Sequence, residues 1–299
     1  MNVAKRYPSV LLATCLLPWT ERFEFDEPLF REQVRRARQE LTPHLYLFGT
    51  AGEGYAISDQ QFDHIIRVFR DEMPPESHPM IGLIGLSLPA IVERIERAGA
   101  LGFRAFQLSL PSWGELNDRE VDEFFRQTCG QFPACAFLHY NVRRAKRLLV
   151  GDDYARLAAA HPNLVAVKMG GEDEAALIDV LAKAPALQGF FTEFGFAALR
   201  DRYECGYLVA LGLMHFGRAR AFFEARGSDL AARGDEFRVI HRALKTAAGP
   251  DARIDGAYDK LYARLREPRF PLRLLPPYEG MSEDVFTRFR AGLPPGWLQ

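Results

Sequence analysis

The sequence predicts an α/β chain folded as a (β/α)8 barrel, with a three-helix appendage at its C-terminal end. Three observations carry that expectation. Eight short apolar runs are spread over the first ~225 of the 299 residues, about the length such a barrel needs. A longer amphipathic stretch follows each run, and strict alternation of this kind implies a parallel sheet with one crossover helix per strand. The turn after the first run, residues 14–22, lacks the Gly-x-Gly-x-x-Gly pattern of an open dinucleotide-binding sheet.

The runs are residues 10–16, 45–48, 80–85, 105–109, 134–140, 164–168, 189–192 and 206–210. Each has the length of a strand buried on both faces. The first mimics a secretory leader, because Lys5 and Arg6 precede it. It is short, however, and Pro18-Trp19-Thr-Glu-Arg-Phe is a poor cleavage site, so it reads as the first buried strand. Residues 26–40 repeat Leu29, Phe30, Val34 and Ala37 at helical spacing. Ser58-Asp-Gln-Gln61 is a capping box that opens the helix carrying Phe62, Ile65, Ile66 and Phe69. Pro89 is expected to open a helix over residues 90–98 and Gly99 to close it. Asp118, Asp152 and Asp173 are the expected caps of the next three helices, and short helices fill residues 194–204 and 214–225. Beyond Gly227 the strands cease. Residues 229–248, 257–265 and 282–291 read as helices, punctuated by Pro268, Pro271, Pro276 and Pro277. The expected division is a barrel over 1–227 and a helical extension over 228–299 packed on it.

Composition narrows the function. The chain is 48% hydrophobic and 26% charged, with a formal net charge of -1. Neither the charge nor the short basic clusters at Arg35-Arg36 and residues 143–147 suggest nucleic acid or a membrane as partner. No segment approaches transmembrane length. Cysteines stand at 15, 129, 135 and 205, without the close pairing of a zinc site, and their scarcity suggests a reducing, cytoplasmic compartment.

In a barrel the active site gathers where strands end. The sixth run, Asn163-Leu-Val-Ala-Val-Lys168, closes on a lysine followed by Met169, Gly170 and Gly171. Burial disfavours the ammonium and frees the amine to attack a carbonyl, forming a Schiff base. A solvated lysine at a strand end is the alternative. The second run ends in Gly49-Thr50-Ala51-Gly52-Glu53, a turn small enough for successive N–H groups to hold a carboxylate. It reads equally as a turn needed only to enter the next helix. Tyr140, after Ala136-Phe-Leu-His139, is either a proton relay or a phenol hydrogen-bonded at the barrel rim. His139, its neighbour, should point the opposite way and pack under a helix.

Together these stretches resemble the dihydrodipicolinate synthase/N-acetylneuraminate lyase family of class I aldolases. Gly49-Thr-Ala-Gly-Glu53 with Ser58 is similar to the family's glycine-hydroxyl turn. Leu138-His-Tyr-Asn-Val142 is similar to its Tyr-Asn-x-Pro stretch, and Val165-Ala-Val-Lys168 to its lysine strand. Weaker matches are Ile84-Gly-Leu, Gly102-Phe-Arg-Ala and Leu272-Arg-Leu-Leu-Pro-Pro277. The resemblance implies a barrel assembled as a homotetramer or homodimer. It implies a 2-keto acid, commonly pyruvate, condensed on Lys168, with an aldehyde-type acceptor and neither metal nor organic cofactor. Tyr140 would shuttle protons with Thr50 in its relay, and the Thr50 and Ala51 amides, beside Gly49, would bind the keto-acid carboxylate.

The departures are specific. Ala51 replaces a second hydroxyl, and Arg143 the usual proline. Ala145 stands where synthases keep an arginine; Arg143, Arg144 or Lys146 can substitute, or the loop is simply solvated. Trp113 aligns with the synthases' relay tyrosine, which argues against a lysine-pathway synthase. Gly170 leaves space after Lys168. Glu193 replaces a glycine near the end of strand seven, where it meets substrate hydroxyls, acts as a base or pairs with an arginine. The leading expectation is a 2-keto acid aldolase or lyase. The alternatives are a dehydratase or hydratase-aldolase using the same imine, and a barrel that only binds 2-keto acids.

Overall fold

Eight apolar runs become eight strands in a computed structural model that describes residues 3–74, 76–170, 173–250 and 253–298. They are β1 (Leu11–Thr14), β2 (Leu45–Leu47), β3 (Met80–Gly82), β4 (Ala105–Leu108), β5 (Ala136–Asn141), β6 (Leu164–Met169), β7 (Gln188–Phe191) and β8 (Cys205–Val209). The strands follow one another in sequence order round a closed barrel. The eight-strand (β/α)8 expectation is met. Every residue of these strands is buried except half-buried Ala136, as strands covered on both faces require.

The helices are α1 (Glu27–Glu40), α2 (Asp59–Glu72), α3 (Leu88–Ala100), α4 (Asp118–Phe125), α5 (Gly151–Ala160), α6 (Glu174–Lys183), α7 (Glu193–Leu199) and α8 (Phe216–Glu224). After them come α9 (Gly227–Ala248), α10 (Asp255–Arg266) and α11 (Glu283–Ala291). The capping box of α2 forms as read: the Ser58 hydroxyl accepts from the Gln61 amide and the Gln61 side chain accepts from the Ser58 amide. Several helix ends differ from expectation. Helix α3 starts behind Ser87, runs through Gly99 and ends at Ala100 with Leu101 as its C-cap, because Gly102, at φ +87°, supplies the left-handed turn. Asn117, with extended backbone, caps α4; Asp118 is already helical and cannot. Helix α5 starts behind Val150, and Asp152 pairs instead with Lys183 at 2.9 Å. Asp173 does cap α6.

Internal contacts group the chain into two units, Met1–Leu12 with Pro75–Leu208 and Ala13–Pro74 with Val209–Gln299. In the first, parallel pairing sets which side chains share a face. Tyr140 is opposite Lys168 and Lys168 opposite Phe190; two residues earlier along the strands, Gln107 is opposite Leu138, Leu138 opposite Ala166 and Ala166 opposite Gln188. His139 identifies the helix-facing side. Its Nδ1 is 2.7 Å from the Tyr154 hydroxyl of α5, and its ring packs edge-on against Phe125 of α4. Side chains alternate along a strand, so Leu138 and Tyr140 face away from the helices, and with them Gln107, Lys168, Gln188 and Phe190. The start of β6 is anchored by the Asn163 amide nitrogen, which reaches the carbonyls of Cys129, Phe132 and Cys135.

In the second unit β1 pairs with β2, and the turn after β2 is packed against α10. A Cβ added at Gly256, the second residue of α10, would lie 3.2 Å from the Ala51 carbonyl.

Candidate active site

Lys168 is the only charged residue of β6, and the strand carries it into the layer of side chains that faces away from the helices. It is 5% exposed. Its Nζ stands 3.9 Å from the centroid of the Tyr140 ring and 3.4 Å from Oε1 of Gln107. The direct β5–β6 register, Tyr140 opposite Lys168, brings the first two together. Gln107 is fully buried, and its Nε2 has no hydrogen-bond partner. An amine held against an aromatic face and a neutral amide acceptor can act as a nucleophile once its proton is lost.

After Lys168 the chain opens. Gly170 is exposed, and a Cβ there would meet nothing within 4 Å. Gly171 lies outside the described residues. Arg143 stands exposed in the short turn after β5. Its neighbours are engaged elsewhere: Lys146 donates to the Trp113 carbonyl, and Arg147 to the Leu116 carbonyl and to Asp118. These bonds tie the basic loop to the loop after β4. The Trp113 ring is 83% exposed. Glu193 is buried at the start of α7 and accepts a hydrogen bond from the Tyr207 hydroxyl at 2.7 Å. Tyr207 is opposite Phe191, on the helix-facing side of its strand, so this contact of Glu193 lies on that side and not beside Lys168. The first unit thus brings Lys168 and Tyr140 together, while Trp113 and Arg143 are exposed and Glu193 is held by Tyr207.

The second unit holds the Gly49–Glu53 turn. Phe48 and Glu53 both adopt left-handed backbone, φ 61° and 54°. Gly54 permits the tight return, since a Cβ there would meet the Phe48 carbonyl at 2.2 Å. Thr50 and Ala51 are buried, and among the described residues neither amide donates a hydrogen bond. Such a pair of free N–H groups suits an anion. Beneath them Glu53 is fully buried. Its carboxylate accepts from Trp19 Nε1 at 2.9 Å and the Leu275 amide at 2.7 Å, and pairs with Lys260 Nζ at 2.6 Å. Burial pushes Lys260 down to about 8, against the pull of Glu53. Lys260 also donates to the Arg273 carbonyl at 2.5 Å, and Arg273 to the Trp19 carbonyl at 3.0 Å.

Two residues of these assemblies escaped the sequence reading. Gln107 was readable in principle, as a polar residue inside an apolar run. Lys260 was not, because nothing local distinguishes it from a solvated helix lysine. Among the described residues no group of three His, Cys, Asp or Glu side chains is gathered to hold a metal ion.

His139 has a measurable consequence. Burial holds its imidazole down to about 3, so it stays neutral in the folded chain while the unfolded chain takes up a proton below about 6.5. The unfolded state then binds more protons between pH 6.5 and 3, and stability falls as pH falls through that window. At pH 5 the loss from this residue is about 2 kcal/mol. In urea unfolding, His139→Gln should lose about that much less than the parent chain between pH 7.5 and 5.

The model of the dihydrodipicolinate synthetase family matches residues 8–192. Two curated relatives are named probable 5-dehydro-4-deoxyglucarate dehydratase. The protein from Rhodococcus opacus is 23% identical over 56% of this chain and 54% of its own length. That from Pseudarthrobacter chlorophenolicus is 24% identical over 54% and 52%. The chain therefore spans about half the length of the curated relatives it matches. Among solved structures, a prophage protein of the dihydrodipicolinic acid synthase family from E. coli K12, in complex with pyruvate, superposes with TM-score 0.84 at 14% identity, over 95% of this chain and 97% of that one. Proteus mirabilis N-acetylneuraminate lyase superposes with TM-score 0.80 at 16% identity, over 96% and 98%. At these identities the superpositions show the shared fold.

Proposed function

This chain belongs to the dihydrodipicolinate synthetase family, and from that premise we propose that it is a class I aldolase-type lyase acting on a pyruvate-type 2-keto acid through an imine at Lys168. The observation that carries the reading is the buried Lys168 amine, 3.9 Å from the Tyr140 ring centroid, at the end of β6. The amine adds to the keto carbon, and loss of water leaves a protonated iminium. That cation draws electrons from the neighbouring C–C bond, so the bond breaks to an enamine, or forms in the reverse direction. Tyr140 moves the proton between the enamine carbon and the leaving oxygen. The Thr50 and Ala51 amides, with Gly49 beside them, take the keto-acid carboxylate, and the Thr50 hydroxyl assists the relay. That part of the proposal stands on family membership and on the unpaired amides of the turn alone.

A second reading is favoured by the two relatives named as dehydratases. The same iminium acidifies the carbon next to it, and loss of that proton expels a β-hydroxyl as water with the carbon skeleton intact. None of the four cysteines forms a disulfide and all are buried, and no helix of the described residues is long and apolar enough to cross a membrane. Both fit a cytoplasmic enzyme, proposed as a homotetramer or homodimer.

Candidate 2-keto sugar acids separate the readings. Release of pyruvate supports the lyase; loss of water with retained carbon count supports the dehydratase. Tyr140→Phe should slow both imine formation and turnover in either reaction, turnover by about 10²–10⁴-fold, the effect of removing a proton-transfer group. Full activity in Tyr140→Phe would remove the relay from the proposal.

A further inference from the structure

We propose that Gln107 is a positioning residue of the imine site. Its Oε1 holds the Lys168 nitrogen, and its Nε2 donates to an oxygen of the 2-keto acid adduct. The inference rests on the reading of Lys168 as the imine-forming lysine. Three observations carry it. Gln107 is wholly buried in the middle of β4, on the face that register assigns to Lys168 and Tyr140. Its Oε1 is 3.4 Å from Lys168 Nζ. Its Nε2, on the same amide, is buried and has no partner among the described residues, which leaves a donor for a ligand beside Lys168. Gln188, on the same face, turns its Nε2 to the backbone carbonyls of Gly189 and Glu204 and leaves an acceptor, Oε1, rather than a donor without a partner among the described residues.

The chemistry uses both ends of the amide. As the Lys168 amine attacks C2 of the keto acid, the carbonyl π pair moves to oxygen. That oxygen takes up the proton the nitrogen releases, giving a carbinolamine. The C–O bond then breaks, and the hydroxyl leaves as water with a proton from Tyr140. The nitrogen lone pair closes the C=N bond. The iminium keeps a single N–H, which needs an acceptor where the amine had one, and Gln107 Oε1 supplies it. The carbinolamine oxygen is an acceptor in the same place and meets Nε2. The amide stays neutral throughout and neither gains nor loses a proton.

The test separates this role from a packing role. Gln107→Leu replaces a half-satisfied amide by an apolar side chain of similar size, so it should resist urea at least as well as the parent chain. It should nevertheless need about tenfold more pyruvate for half-maximal borohydride trapping, because a hydrogen bond to a charged nitrogen is lost. Gln107→Glu should slow acetylation of Lys168 by acetic anhydride about tenfold at pH 8, since a carboxylate holds the nitrogen as an ammonium. Unchanged trapping in Gln107→Leu, or urea resistance lost together with trapping, overturns the assignment. Acetylation is read without any keto acid. If the parent chain forms no adduct while Gln107→Glu still slows acetylation, the imine reading fails and the Gln107–Lys168 contact stands. If acetylation is unchanged, the Gln107 proposal fails whatever pyruvate does.

Discussion

Lys168→Met should leave a folded chain with turnover reduced by about 10⁴-fold or more, the scale on which loss of an essential nucleophile acts. Methionine has a similar reach and no branching, so it fills the space between Tyr140 and Gln107 without a cavity. The lost contact of the ammonium with the Tyr140 ring is worth about 0.5–2 kcal/mol, and removing a buried charge offsets it. Stability in urea should therefore stay within about 1 kcal/mol of the parent chain while activity vanishes. A methionine variant that is folded and still turns over would remove Lys168 from the mechanism.

Lys260→Met should destabilise the chain by about 3–5 kcal/mol, the effect of stranding one partner of a buried ion pair. Both side chains of the pair are 0% exposed and 2.6 Å apart. Without Lys260, Glu53 keeps only its bonds from Trp19 and the Leu275 amide to offset a buried negative charge. Lys260→Met combined with Glu53→Gln removes the charge as well and should recover part of the loss. Urea titrations of the two single variants and the double variant give the coupling directly. Additive losses would show that the pair does not act as a unit. If the Thr50 and Ala51 amides bind the keto acid as proposed, a milder decrease in its affinity should accompany the lost stability, because Glu53 closes their turn.

The barrel was legible because its strands are dry on both faces. A run such as residues 45–48 has no reason to be apolar throughout unless helices cover one side and side chains fill the other. Helix starts were legible at Ser58, where Gln61 three residues on completes a capping box, and at Asp173. They were not where two competed, as at Asn117 and Asp118, since only backbone conformation decides which residue caps. The neighbourhood of Lys168 was legible in part. Two strand ends adjacent in order bring Tyr140 beside it, and alternation alone sends His139 to the helices. Side-chain direction beyond a strand end follows no period. Glu193 follows β7 closely, yet its carboxylate meets Tyr207 on the helix side, and Trp113 follows β4 yet its ring is exposed. The Glu53–Lys260 pair joins residues far apart in sequence, which no local pattern records.

Incubating the folded parent chain with pyruvate and borohydride tests the central claim most directly. Reduction of the imine fixes the keto acid to the lysine as a secondary amine, and peptide mass analysis locates it. The account predicts one adduct on the peptide carrying Lys168, absent in Lys168→Met. A folded chain that acquires no adduct with pyruvate or any other 2-keto acid, or acquires it on a different lysine such as Lys260, would contradict it.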